Sequence, residues 1–132
     1  MSTPLTTDLM LLVWSVALCV VQMLIAAGTK NSQVGLGALA GNREGLPAAT
    51  GLAGRAQRAH LNMLENIVLF AALVLVAQIS GRANEMTALG AQLFFWARLA
   101  YAVVYLVGIP WLRTGVWFVS MIGLVLIFLQ LL

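Results

Sequence analysis

A chain of 132 residues that is 62% hydrophobic and only 8% charged lies far from the roughly 25% charged composition of soluble domains. Its seven basic and four acidic side chains are too few to clothe a water-soluble core, so the bilayer or neighbouring subunits must complete the fold. The net charge of +3 comes from Lys30, Arg43, Arg55, Arg58, Arg82, Arg98 and Arg113 against Asp8, Glu44, Glu65 and Glu85; these form no continuous basic stripe, which argues against a nucleic-acid partner.

The first apolar run, residues 9–27, is interrupted only by Ser15 and Gln22 and has the length that crosses a hydrocarbon core. No Lys or Arg precedes it and it is longer than a signal-peptide core, so it reads as a retained span, although Ala26-Ala27-Gly28 would suit a processing site. Cys19 is the only cysteine, so no disulfide or Cys-based metal site can form within one chain. Residues 28–53, rich in Gly, Ala, Asn and Thr and containing Pro47, read as a long loop with at most one short helical turn. A loop of this length in so small a protein is usually functional.

The second span is expected over residues 54–79, with a polar first half, RAQRAHLNMLEN, and an apolar second half, IVLFAALVLVAQI. After a short turn at residues 80–84, the third span covers residues 85–107 and carries Arg98 inside FFWARLAYAVVYLV; Gly108 and Pro110 end it. The fourth covers about residues 113–132, apolar from Gly115 apart from Ser120 and Gln130. The fold class expected is all-α: an integral membrane four-helix bundle in a single domain, residues 1–132. Lys30, Arg43, Arg55, Arg58 and Arg113 flank the first and third connections and Arg82 alone the other side. The positive-inside rule then predicts termini outside and loop 28–53 in the cytoplasm. The first and fourth spans, poor in polar residues, are expected to face lipid or serve packing.

Charged residues within spans cost about 2.5–3.5 kcal/mol each on insertion scales and are functional suspects. At 100° per residue, Arg55, Arg58, Asn62 and Glu65 fall within an arc of about 80° on the second span, with His60 opposite, while Arg98, Tyr101 and Tyr105 share about 60° of the third. Lipid satisfies neither stripe, so each must face the bundle interior or another subunit, with Glu65 the expected counter-ion of Arg98. Their bland role is structural, fixing helix register. Arg55, Arg58 and Arg113 gather at the cytoplasmic ends with only Glu44 as a local acid, leaving capacity for an anionic ligand or, in the simpler case, for phospholipid headgroups. His60 has no second His or Cys at metal spacing, and no metal site is predicted.

At RAQRAHLNMLEN followed by FFWARLAYAVVYL, the sequence resembles the MAPEG family, the membrane-associated proteins of eicosanoid and glutathione metabolism, from Leu9 onward. The resemblance implies a homotrimer that binds glutathione as co-substrate between subunits near the cytoplasmic side. By similarity, Arg58, Asn62 and Glu65 match the motif that holds the tripeptide and Arg98, Tyr101 and Tyr105 its partner motif. Arg55 is added as a further binding residue on the same stripe, and Arg113, at the start of the fourth span, as the catalytic arginine that stabilises the thiolate. Position 66 is Asn, where some members carry an aromatic hydroxyl. The activity implied is a glutathione-dependent transferase or peroxidase acting on a lipophilic small-molecule electrophile. The alternative is a catalytically silent member whose stripes serve oligomerisation or lipid binding. A four-helix multidrug exporter would need a carboxylate within the first span, which has only Asp8 at its edge.

Overall fold

The computed structural model describes residues 4–132; the first three residues of the expected 1–132 domain lie outside it. The chain folds into α1 (Thr7–Val34), a short α2 (Leu36–Ala40), α3 (Gly51–Ile79), α4 (Glu85–Val107) and α5 (Pro110–Gln130). All but α2 are long and apolar enough to cross a membrane, and the protein is an integral, multi-pass membrane protein built as a four-helix bundle. At 1.5 Å per residue, α1 and α3 are each about 42 Å long, more than the ~30 Å hydrocarbon core. The polar last turns of α1 and the polar first turns of α3 lie together at one end of the bundle, here termed the loop end.

Local chemistry explains the boundaries. Thr6 caps α1 by accepting from the Leu9 amide. Asn84 caps α4 by accepting from the Met86 and Thr87 amides while Thr87 Oγ1 accepts from the Asn84 amide, a reciprocal capping box. Gly108, left-handed at φ 89°, closes α4 and Pro110 opens α5, as expected of these residue types.

The expectation of a loop beginning at residue 28 needs correction: α1 continues seven residues further, and α3 begins at Gly51 rather than 54. The extra turns are polar but tethered. Lys30 Nζ donates to the Pro47 carbonyl at 3.2 Å, and Gln33 exchanges two hydrogen bonds with the Thr50 backbone. Those tertiary bonds, absent from any local pattern, hold helical a segment whose composition reads as a loop.

In the bundle α1 packs on α3, α4 packs on both and most extensively on α5, and α1 and α5 do not meet. The main core joins Met63, Phe70 and Val74 of α3 to Ala91 and Phe94 of α4 and Leu124 and Ile127 of α5, with Leu11 and Cys19 from α1. Phe70 and Phe94 stack with centroids 4.1 Å apart. The first span, expected to face lipid or serve packing, packs on α3 and leaves most of its surface outside the bundle. The buried face of α1 consists of Asp8, Leu11, Ser15, Cys19 and Gln22, so the two polar residues within the apolar span turn inward together with Asp8 at its edge, residues 8, 15 and 22 lying above one another.

The α4–α5 contact depends on two glycines. A Cβ on Gly90 would lie 2.6 Å from the Gly123 carbonyl oxygen, and one on Gly123 would lie 2.5 Å from that of Gly90. The backbones touch there as in other small-residue membrane interfaces. Gly90→Ala or Gly123→Ala is therefore expected to separate the helices and cost roughly 1–3 kcal/mol, the usual range for overpacking. This is measured as a fall in Tm of the detergent-solubilised protein, whereas Gly115→Ala, whose added Cβ meets nothing, does not lower it.

Candidate functional site

Three elements bring polar residues together toward the loop end. The first turns of α3 carry Arg55, Arg58 and Asn62, the second half of α4 carries Arg98, Tyr101 and Tyr105, and the first turn of α5 carries Arg113. Arg98 is only 1% exposed. Its Nη2 donates to Asn62 Oδ1 at 2.8 Å and its Cζ lies 4.3 Å from the Tyr101 ring centroid. Its Nε and Nη1 are buried and meet no acceptor among the described residues.

Tyr101 and Tyr105 continue this arrangement as a ladder, their rings edge to face at 5.5 Å. Arg58 Nε donates to the Tyr105 hydroxyl at 3.2 Å, and Arg113 Cζ sits 4.5 Å from the Tyr105 ring centroid. Two tyrosines thus gather three guanidinium groups through cation–π contacts, each worth about 0.5–2 kcal/mol depending on solvation. Ala59, Val116 and Trp117 pack around the rings. Arg55 acts elsewhere, at the end of α4. Its Nε donates to the Leu106 carbonyl at 3.0 Å, satisfying an orphan acceptor at the negative end of the α4 dipole.

The expected Glu65–Arg98 ion pair is not formed within the chain. Glu65 is exposed, and the side chain that meets Arg98 is Asn62. Glu65 follows Asn62 by three residues, about 60° further round α3, which turns it out of the α3–α4 seam. Six of the seven other site residues are therefore linked by direct contacts around the two rings, Arg55 adjoins them through the end of α4, and Glu65 stands on the outer side of α3.

Two polar residues in or near this region were not among the site residues expected from sequence. Asn66, 7% exposed, donates from Nδ2 to both the backbone carbonyl and Oδ1 of Asn62, at 2.7 and 3.1 Å. Its signal was available: it is one turn beyond Asn62, within about 40° on the same projection. Gln22 of α1 has both amide atoms buried and unpaired, beside a void of about 10 Å³ lined also by Ile25, Ala56, Ala59 and Leu106, room for roughly one water. His60 likewise buries an unpaired Nδ1.

These features define a class: a small multi-pass membrane protein with a cationic, tyrosine-lined seam at one end of its bundle. The chain belongs to the MAPEG family, whose family model matches residues 11–132. Comparison with curated proteins and with solved structures returns no match. The family includes glutathione-dependent transferases and peroxidases.

The unpaired donors of Arg98 mark it as a buried charge that the described residues satisfy only in part. Removing one partner of a satisfied buried pair costs about 3–5 kcal/mol, whereas replacing an imperfectly paired charge by an apolar side chain is often neutral or stabilising. Arg98→Met is accordingly expected to leave the Tm of the ligand-free protein in detergent unchanged or higher; a large fall would identify Arg98 as a structural strut.

Proposed function

We propose that the protein is a glutathione-dependent membrane transferase or peroxidase acting on lipophilic electrophiles, with glutathione held between the subunits of a homotrimer near the cytoplasmic face. The observation that carries this reading is Arg98, a buried guanidinium with two unpaired nitrogens and no carboxylate bonded to it among the described residues. Such donors are costly to bury without acceptors, and an incoming anion supplies them. The tripeptide brings two carboxylates and one ammonium. Arg58 and Arg98 on the tyrosine ladder, with Arg55 beside them, complement the carboxylates by charge-assisted hydrogen bonds. Glu65, exposed on α3, complements the ammonium.

The same demand for polar partners supports the trimer: Arg58 and Glu65 stand on a face of α3 that a single chain leaves open, and the hydrocarbon of the bilayer offers Glu65 no partner. The basic residues flanking the loop end orient that end toward the cytoplasm. Chemistry on the sulfur requires thiolate, and a thiol with a pKa of about 8.5 reaches that state near neutral pH when a cation stands beside it. Arg113 is the group assigned to this role. It comes from α5, it is half-buried, and one face of its guanidinium already rests on Tyr105. Lipophilic acceptors reach the sulfur laterally from the bilayer.

Calorimetry on the detergent-solubilised protein tests the reading. Glutathione is expected to give saturable heat, weakened at least about tenfold, or ~1.4 kcal/mol, by Arg58→Ala and by Arg98→Met. Arg113→Ala is expected to keep binding but lose the ultraviolet absorbance of bound thiolate. Absence of heat at millimolar glutathione sinks the proposal and leaves a catalytically silent member, in which Glu65→Gln dissociates the oligomer.

A further inference from the structure

We infer that Asn66 is a positioning residue that fixes the orientation of the Asn62 amide, so that Asn62 turns its oxygen to Arg98 and presents its Nδ2 as a hydrogen-bond donor to the ligand. The inference rests on the reading of this seam as a ligand site, and adds a residue that neither the motif nor the tyrosine ladder contains.

The argument is one of donors and acceptors. A backbone carbonyl can only accept, so the Asn66 group lying 2.7 Å from the Asn62 carbonyl must be Nδ2, a donor. That same Nδ2 is 3.1 Å from the Asn62 side chain, and a donor there requires the Asn62 atom to be Oδ1. Arg98, which has donors only, approaches the same atom at 2.8 Å and imposes the same choice. Asn62 Oδ1 therefore accepts twice. Asn62 Nδ2 bonds to nothing among the described residues and is not one of their buried unpaired atoms, so it lies open at the half-buried edge of the seam.

A free asparagine flips between two nearly isosteric orientations. Here one is excluded by two independent donors, and the group left to a ligand is always N–H₂. That suits an acceptor, such as a carboxylate or peptide carbonyl, and not an ammonium. Asn66 is mostly buried and one helical turn away, so it need touch no ligand to act. Replacing it by Asp removes the donor shared by the Asn62 carbonyl and Oδ1 and sets acceptors against both, so that Oδ1 is repelled there and Arg98 alone opposes the flip that carries the Asn62 N–H₂ inward.

Side-chain amide hydrogen exchange tests this directly, in protein labelled with ¹⁵N-asparagine, the Asn62 signal being assigned by its loss in Asn62→Asp. In wild type the Asn62 N–H₂ is expected to exchange freely with water; in Asn66→Asp it becomes protected, and glutathione affinity falls about tenfold. Equal exchange in the two proteins, or undiminished affinity in Asn66→Asp, overturns the inference. Asn66→Leu, which removes the donor without adding an acceptor and suits an apolar helix, is expected to lose affinity several-fold at unchanged Tm; a variant that loses Tm but binds as wild type marks Asn66 as merely structural. If wild type binds no glutathione, the functional reading falls, while the exchange comparison still decides the role of Asn66.

Discussion

A bilayer interior offers no hydrogen-bond partner to a side chain, and that constraint sorts the polar residues of the spans. Asp8, Ser15 and Gln22 of α1, Asn66 of α3, Thr87 and Arg98 of α4 and Ser120 of α5 are all buried in the bundle. The hydroxyls resolve the demand locally. Ser15 donates to the Leu11 carbonyl and Ser120 to that of Trp117, which are short-range bonds that need no second helix. Arg98 cannot be satisfied locally, since it carries five donors and no acceptor, and its placement decides what the α3–α4 seam must contain.

The two halves of the bundle divide the labour along the membrane normal. Away from the loop end, the glycine contact between α4 and α5 and the Phe70–Phe94 stack give dense apolar packing. Toward the loop end the packing residues become Ala59, Tyr101 and Tyr105. Tyrosine serves both needs there, with an apolar ring that fills space and supports guanidinium groups and a hydroxyl that engages Arg58. A rigid far end thus supports an end rich in cations and open to exchange with what lies outside the chain.

The polar last turns of α1 and first turns of α3 give the loop end a scaffold. The bonds from Lys30 and Gln33 to Pro47 and Thr50 fasten the return of the chain to the extended α1. The loop therefore enters α3 at a defined point, a few residues before Arg55 and Arg58. The register of those arginines against Tyr105 and the end of α4 depends on that entry as well as on the core.

Much of this was legible in the amino-acid sequence. Hydrophobic run lengths specify the four spans because bilayer thickness sets a length scale, and Gly108 and Pro110 mark the end of α4 because their backbone chemistry is local. Helical projection groups Arg98, Tyr101 and Tyr105 because they share one element. What crosses between elements was not legible. The continuation of α1 past residue 27 rests on bonds to residues 47 and 50. The partner of Arg98 is Asn62 rather than Glu65 because of how far α3 is rotated about its axis against α4, and tens of degrees decide that. The burial of α1's polar stripe likewise required knowing which face meets α3. Sequence alone determined the membrane, the spans and the inventory of charged and aromatic groups, since each follows from composition or from periodicity within one helix. Only the tertiary structure decided which donor meets which acceptor, because hydrogen bonds are made over about 3 Å and helix rotation and entry point are set by packing across the whole bundle.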